Sequence, residues 1–165
     1  VVPMQFFRLR PPNFPTIRLS QLGQLYSKHY NLFSQVISTS NIKDLYKLFE
    51  VQTSDYWNTH YSFNSTSKLT PKKLTKSFID LLIINTIIPI KYAFSKYKGE
   101  DGNEAIFELA TAIKSEENSI INKFNQLAPV SASALDSQAL LQLKSYYCDE
   151  NKCLQCAIGS ALIIK

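Results

Sequence analysis

Apolar positions fall three and four residues apart along most of this chain, the spacing of amphipathic helices. Leu22, Leu25, Tyr26, Phe33, Val36 and Ile37 make one such stripe and predict a helix from Ile17 or Ser20 to Ile37, with His29 on the stripe. "STSNIKDLYKLFEV" predicts a short second helix capped by Ser40 or Asn41, with Ile42, Leu45, Leu48 and Phe49 inward. "TSDYWNTHYSF" reads as a third, capped by Thr53 or Ser54, which would set Trp57, His60 and Tyr61 on one face. Thr70-Pro71 has the form of a helix start and would lead a long helix through "FIDLLIINTIIPI" towards Lys98-Gly99. Inside it, Pro89 lacks the N–H that would bond the Asn85 carbonyl, which predicts a kink or a break. A further stripe from Ile106 to Phe124 predicts one helix over Glu104 to Gln126, with Glu117 on its apolar side. Ser133-x-x-Asp136 has capping-box spacing and opens a helix from Ala134 to about Tyr147, and "LQCAIGSALIIK" closes the chain with a short one.

The first 19 residues break this pattern. Phe7 and Leu9 alternate with Arg8 and Arg10 as in a short strand, and Pro11, Pro12 and Pro15 then impose an extended path. The expected architecture is all-α: an irregular multi-helix bundle over residues 20–165, one domain, preceded by an extended Pro-rich segment over 1–19 that continues from a missing upstream domain. Composition agrees, because 45% apolar and 19% charged residues describe a globular chain rather than a disordered one. The run Phe78–Ile90 is shorter than a bilayer span and contains Asp80 and Asn85, so it reads as a core helix and no membrane is expected. A net charge of +5 permits an anionic partner without demanding one. Three cysteines, an odd number, without a signal peptide point to a reducing, cytoplasmic setting.

Those cysteines crowd into "YYCDENKCLQCAIG" with the spacing C-x4-C-x2-C. A plant-type ferredoxin begins this way but needs a fourth cysteine further on, and none follows. A Cys3His zinc site from Cys148, Cys153 and Cys156 with His60 or His29 stays open beside plain packing of three thiols. Glu117 on an apolar face would need a cation, for which Arg8, Arg10 and Arg18 are the candidates; His29 and Asn85 read as further structural polar groups. Lys72, Lys73 and Lys76, with Arg8 and Arg10, are candidates for contact with nucleic acid, set against the reading of a solvated charged face. No phosphate loop, dinucleotide fingerprint, HExxH or G-x-S-x-G occurs, so no catalytic residue is assigned.

Four segments, "RLRPPNFPTIRLSQLGQL", "YWNTHYSF", "INTIIPI" and "YYCDENKCLQCAIG", together resemble the C-terminal half of a bacterial family, the domain-of-unknown-function family 2851. The family's first segment reads R-P-A-N-F-P-T-I-R-L-A-Q; here Pro12 stands for the first Ala, and Ser20 or Gly23 for the second. Its cysteine tail is matched at Cys148, Cys153, Cys156 and Gly159. Full-length members resemble a two-part protein whose N-terminal half looks like a restriction-endonuclease-type core. The resemblance therefore implies a non-catalytic helical domain that supports a nuclease-like half and contacts nucleic acid. The alternative is a structural or interaction module, with zinc or packed cysteines.

Overall fold

The computed structural model describes residues 3–163. Helices form almost all of the regular structure among them, with one two-stranded antiparallel hairpin. By packing, the chain divides into two compact units, Val1–Ile87 and Ile88–Lys165.

In the N-terminal unit a 3-10 turn, Pro11–Asn13, leads into α1, Pro15–Lys28. Pro15 sits in the first turn, where a missing N–H removes no hydrogen bond, so the helix begins before the expected Ile17 or Ser20. Its buried side is Thr16, Ile17, Gln21 and Leu25. The helix expected to reach Ile37 instead ends at His29, whose N–H donates to the Leu25 carbonyl at 3.0 Å, and α2 begins anew at Leu32–Ser38. His29, Tyr30 and Asn31 are weak helix formers in succession, which explains the break. α3, Ile42–Leu48, starts at Asn41, whose side chain accepts the Lys43 N–H at 2.8 Å.

The third expected helix is not one. Asp55–Asn58 is a single 3-10 turn, followed by β1, His60–Ser62, and β2, Ser65–Thr66, paired His60 to Thr66 and Ser62 to Ser65. Trp57, His60 and Tyr61 therefore do not share a helix face. Thr70-Pro71 is not a helix start either. Residues 72–74 run extended against 51–53, through Thr53 N–H to Lys72 O at 3.1 Å and Leu74 N–H to Val51 O at 3.0 Å. α4, Lys76–Leu82, opens at Thr75, whose hydroxyl accepts the Phe78 N–H at 3.3 Å. It continues through a π-turn, Ile83–Ile87, into α5, Ile88–Lys98. The break expected at Pro89 becomes this wider turn, which places the proline in the first turn of α5, where its absent N–H is tolerated. Asn85 Nδ2 donates to the Leu81 carbonyl at 2.9 Å.

The continuous helix, Lys76–Lys98, is 23 residues long, more than the apolar run alone indicates. By length and composition it could cross a bilayer, yet Ile79, Ile83, Ile84 and Ile87 are buried in the core of the N-terminal unit with Ile17, Leu45 and Phe49.

In the C-terminal unit α5 packs on α6, Asn103–Ala112, and α6 on α8, Ala134–Leu143. The single helix expected over 104–126 is split. Ile113 turns extended, its carbonyl accepting the Ala134 N–H at 2.8 Å, and α7, Ser119–Leu127, restarts at Asn118. The Asn118 side chain accepts the N–H groups of Ile120 and Ile121, both at 3.0 Å. The capping box is present as expected: Ser133 Oγ accepts the Asp136 N–H at 3.3 Å, and the Asp136 carboxylate accepts the Ser133 N–H at 2.9 Å. α8 runs on through a π-turn, Lys144–Cys148, and a 3-10 turn, Cys153–Gln155, then supports α9, Ala157–Ile163. A Cβ at Gly159 would lie 2.4 Å from the Cys153 carbonyl oxygen, so only glycine lets α9 approach that turn.

Candidate nucleic-acid interface

Two of the lysines singled out in the sequence, Lys72 and Lys73, belong to a ribbon of two side-by-side arms in the N-terminal unit; Lys76 opens α4 just after it. One arm holds the 3-10 turn and β1; the other returns through β2 to Thr75. Ser67 N–H donates to Thr59 O at 2.7 Å and Thr70 N–H to Asn58 O at 2.9 Å, which extends the pairing beyond the hairpin. Lys72 is buried between the arms. Its Nζ donates to the Trp57 carbonyl, to Asn58 O at 3.1 Å and to Thr70 O at 3.4 Å, and lies 4.1 Å from the centre of the Tyr61 ring. Burial lowers its pKa, but the carbonyls replace its water. Lys72 is therefore a clamp inside the fold, and its expected place in a surface patch is corrected. Lys73 and Lys68 are exposed, and their ammonium groups have no hydrogen-bond or ion-pair partner among the described residues. Lys76 is exposed but engaged: it lies 3.4 Å from the Asp80 carboxylate and over the Tyr46 ring, and Tyr46 donates to the same carboxylate at 2.5 Å.

Of the N-terminal arginines, Arg8 and Arg10 are exposed. Arg8 takes a left-handed backbone conformation, φ 61°, in a turn closed by Leu9 N–H to Phe6 O at 3.2 Å. Phe6 packs edge-on against Phe14, and Phe14 against Tyr61, so this segment is anchored to the hairpin. The Thr16 hydroxyl adds a bond to the Tyr61 carbonyl at 2.5 Å. Arg18 is held by an aromatic ring and two side-chain amides. Its guanidinium lies 3.4 Å from the centre of the Phe78 ring and donates to Asn13 Oδ1 at 2.5 Å and Gln21 Oε1 at 2.9 Å. Burial lowers its pKa, and Gln21 passes the network on to the Lys72 carbonyl at 3.2 Å.

The remaining candidates are dispersed. Glu117 is exposed in the loop before α7 and bridges to Lys114 at 2.8 Å; that cation holds its carboxyl below the usual range. The expectation of a buried carboxylate fails because the helix that would have buried it is split. Cys148 and Cys153 are exposed and Cys156 is buried. Among the described residues no group of three or more His, Cys, Asp or Glu side chains is placed to hold a metal ion, the zinc alternative for Cys148, Cys153, Cys156 and His60 included. His60 stacks on Tyr56 instead, ring centres 4.1 Å apart and 7° from parallel. His29 caps α1, half-buried, with Nε2 unbonded among the described residues rather than paired as expected of a core histidine.

Charge follows the division into units. Residues 1–87 contain ten Lys and Arg against four Asp and Glu, a net of +6, and residues 88–165 contain eight against nine, a net of −1. Asp44 is the first acidic residue in the chain. In the C-terminal unit a groove of about 790 Å³ is lined by Asp101, Glu104 and Glu108 beside Phe107, carboxylates that repel a polyanion. The net charge alone hides this segregation, although the acid-free opening stretch signals it.

A family profile described as "Protein of unknown function (DUF2851)" matches residues 1–119. The chain belongs to that family. The DUF2851 match contains the whole basic unit and the first three of the four resembling segments; the cysteine tail lies beyond it. No curated protein and no solved structure matched the chain.

Proposed function

We propose that this chain is a non-catalytic helical module that holds nucleic acid, through its N-terminal unit, for a nuclease-like half of the same protein. The observation that carries the reading is the segregation of charge, +6 in residues 1–87 against −1 in the rest. Polyphosphate backbones bind such surfaces by releasing condensed counterions. Arg8, Arg10, Lys68 and Lys73 are exposed and unmatched by carboxylates among the described residues, so their fields reach solvent undiminished. The buried cations, Lys72 and Arg18, order the backbone that presents them.

Fluorescence anisotropy with labelled DNA and RNA at rising salt tests the reading. Affinity should fall linearly in log salt, and the triple variant Arg8→Glu, Arg10→Glu, Lys73→Glu should abolish binding while keeping the helical circular dichroism of the parent. An intact chain that binds neither polymer at low salt overturns it.

A further inference from the structure

We infer that the ribbon takes single-stranded rather than duplex nucleic acid, stacking unpaired bases on Phe63 and on the Tyr56–His60 pair while Lys68 and Lys73 meet the phosphates. This rests on the nucleic-acid reading above and specifies its ligand. The two arms divide the work. Tyr56, His60 and Phe63 stand on the first, and Lys68 and Lys73 on the second, held alongside by the bonds from Ser67 to Thr59, from Thr70 to Asn58 and from Thr53 to Lys72. Phe63, at the hairpin tip, is 66% exposed. It is nevertheless fixed: its ring meets Trp57 edge-on at 5.2 Å, and its carbonyl accepts the Tyr56 hydroxyl at 3.1 Å. Tyr56 is 44% exposed and already lies parallel to His60.

Rings held in place before binding lose little conformational freedom when a base stacks on them. Every base offers such a face, but only an unpaired one presents it without breaking a duplex stack. The arms carry one acid, Asp55, which accepts from Asn58 Nδ2 at 3.4 Å. Aromatic rings and lysines carried on neighbouring arms are the combination that non-specific single-strand binders use.

The test measures binding of the whole chain to labelled oligothymidylate and to a duplex of the same length across a salt series. The single strand should bind more tightly. Phe63→Ala should weaken it about tenfold or more and barely alter duplex binding, whereas Phe63→Trp should preserve it. Lys68→Gln should reduce the slope of log affinity against log salt by about 0.7 for the single strand. Because Phe63 is largely exposed, its truncation should leave the thermal midpoint in place, which separates lost stacking from lost fold. Equal binding of both ligands, unchanged by Phe63→Ala, overturns this inference and leaves the broader reading standing. Binding of neither ligand at low salt overturns both.

Discussion

Lys72 and Lys73 are neighbours in the chain, yet one ammonium is enclosed by three carbonyls and the other stands in water. Their removal should act on different quantities. Lys72→Met keeps an apolar stem but removes the charged donor from the Trp57, Asn58 and Thr70 carbonyls, of which Asn58 O keeps the Thr70 N–H. Hydrogen bonds to a charged group contribute about 1.5–3 kcal/mol, so the variant should lose at least about 1.5 kcal/mol in urea denaturation. Lys73→Gln should stay within about 0.5 kcal/mol of the parent and appear only in the salt dependence of binding. Nothing in "TPKKLTK" tells these lysines apart. The difference depends on which carbonyls arrive from residues 57 and 58, and that is decided by folding of the other arm. Arg18 repeats the lesson: it was legible as a structural cation, but its partners proved to be Phe78, Asn13 and Gln21 rather than a carboxylate.

At the scale of elements, caps were legible and continuity was not. Asn41 and the Ser133–Asp136 box mark their helices as read, because a cap is a local bond between residues two or three apart. The two long helices expected over 17–37 and 104–126 are each broken, although the apolar stripe runs on across the break. A stripe records which side faces a core, and two short helices meeting that core in turn preserve it as well as one long helix does. At Pro89, where a kink or a break was expected in a helix running towards Lys98, a π-turn accommodates the proline and the helix continues. The last element offers a measurable case. Gly→Ala inside a helix ordinarily stabilises by about 1 kcal/mol. At Gly159 the sign should reverse, since the new methyl would lie 2.4 Å from the Cys153 carbonyl oxygen, a backbone atom that cannot swing aside. Thermal denaturation of Gly159→Ala checks this; a raised midpoint would show that α9 is free of the turn before it.

For the molecule as a whole, the consequential pattern is the mismatch between an overall charge of +5 and its distribution. The whole-chain value permits many partners, while the division into +6 and −1 assigns the proposed polyanion contact to one unit. Lys123→Gln with Lys152→Gln should therefore leave the salt slope of nucleic-acid binding unchanged, although it removes as much charge as two substitutions in the N-terminal unit. A slope that falls equally would place the contact on the C-terminal unit instead. The cysteine segment, the most conspicuous chemical signal in the chain, does not assemble a metal site among the described residues: two thiols face solvent and Cys156 is buried beside the turn that receives α9.

By itself, the sequence determined the helical class, the caps at Asn41 and Ser133, the family and the set of cations available for function, because these depend on short-range periodicity, local hydrogen bonds and composition. Only the tertiary structure decided that residues 66–75 form an extended arm rather than a helix start, that Lys72 lies inside and Lys73 outside, that Glu117 is in water, and that the aromatic and lysine-bearing arms lie together. Those outcomes depend on backbone bonds between residues up to about twenty positions apart, such as Thr53 to Lys72 and Val51 to Leu74, and no spacing along the chain encodes them.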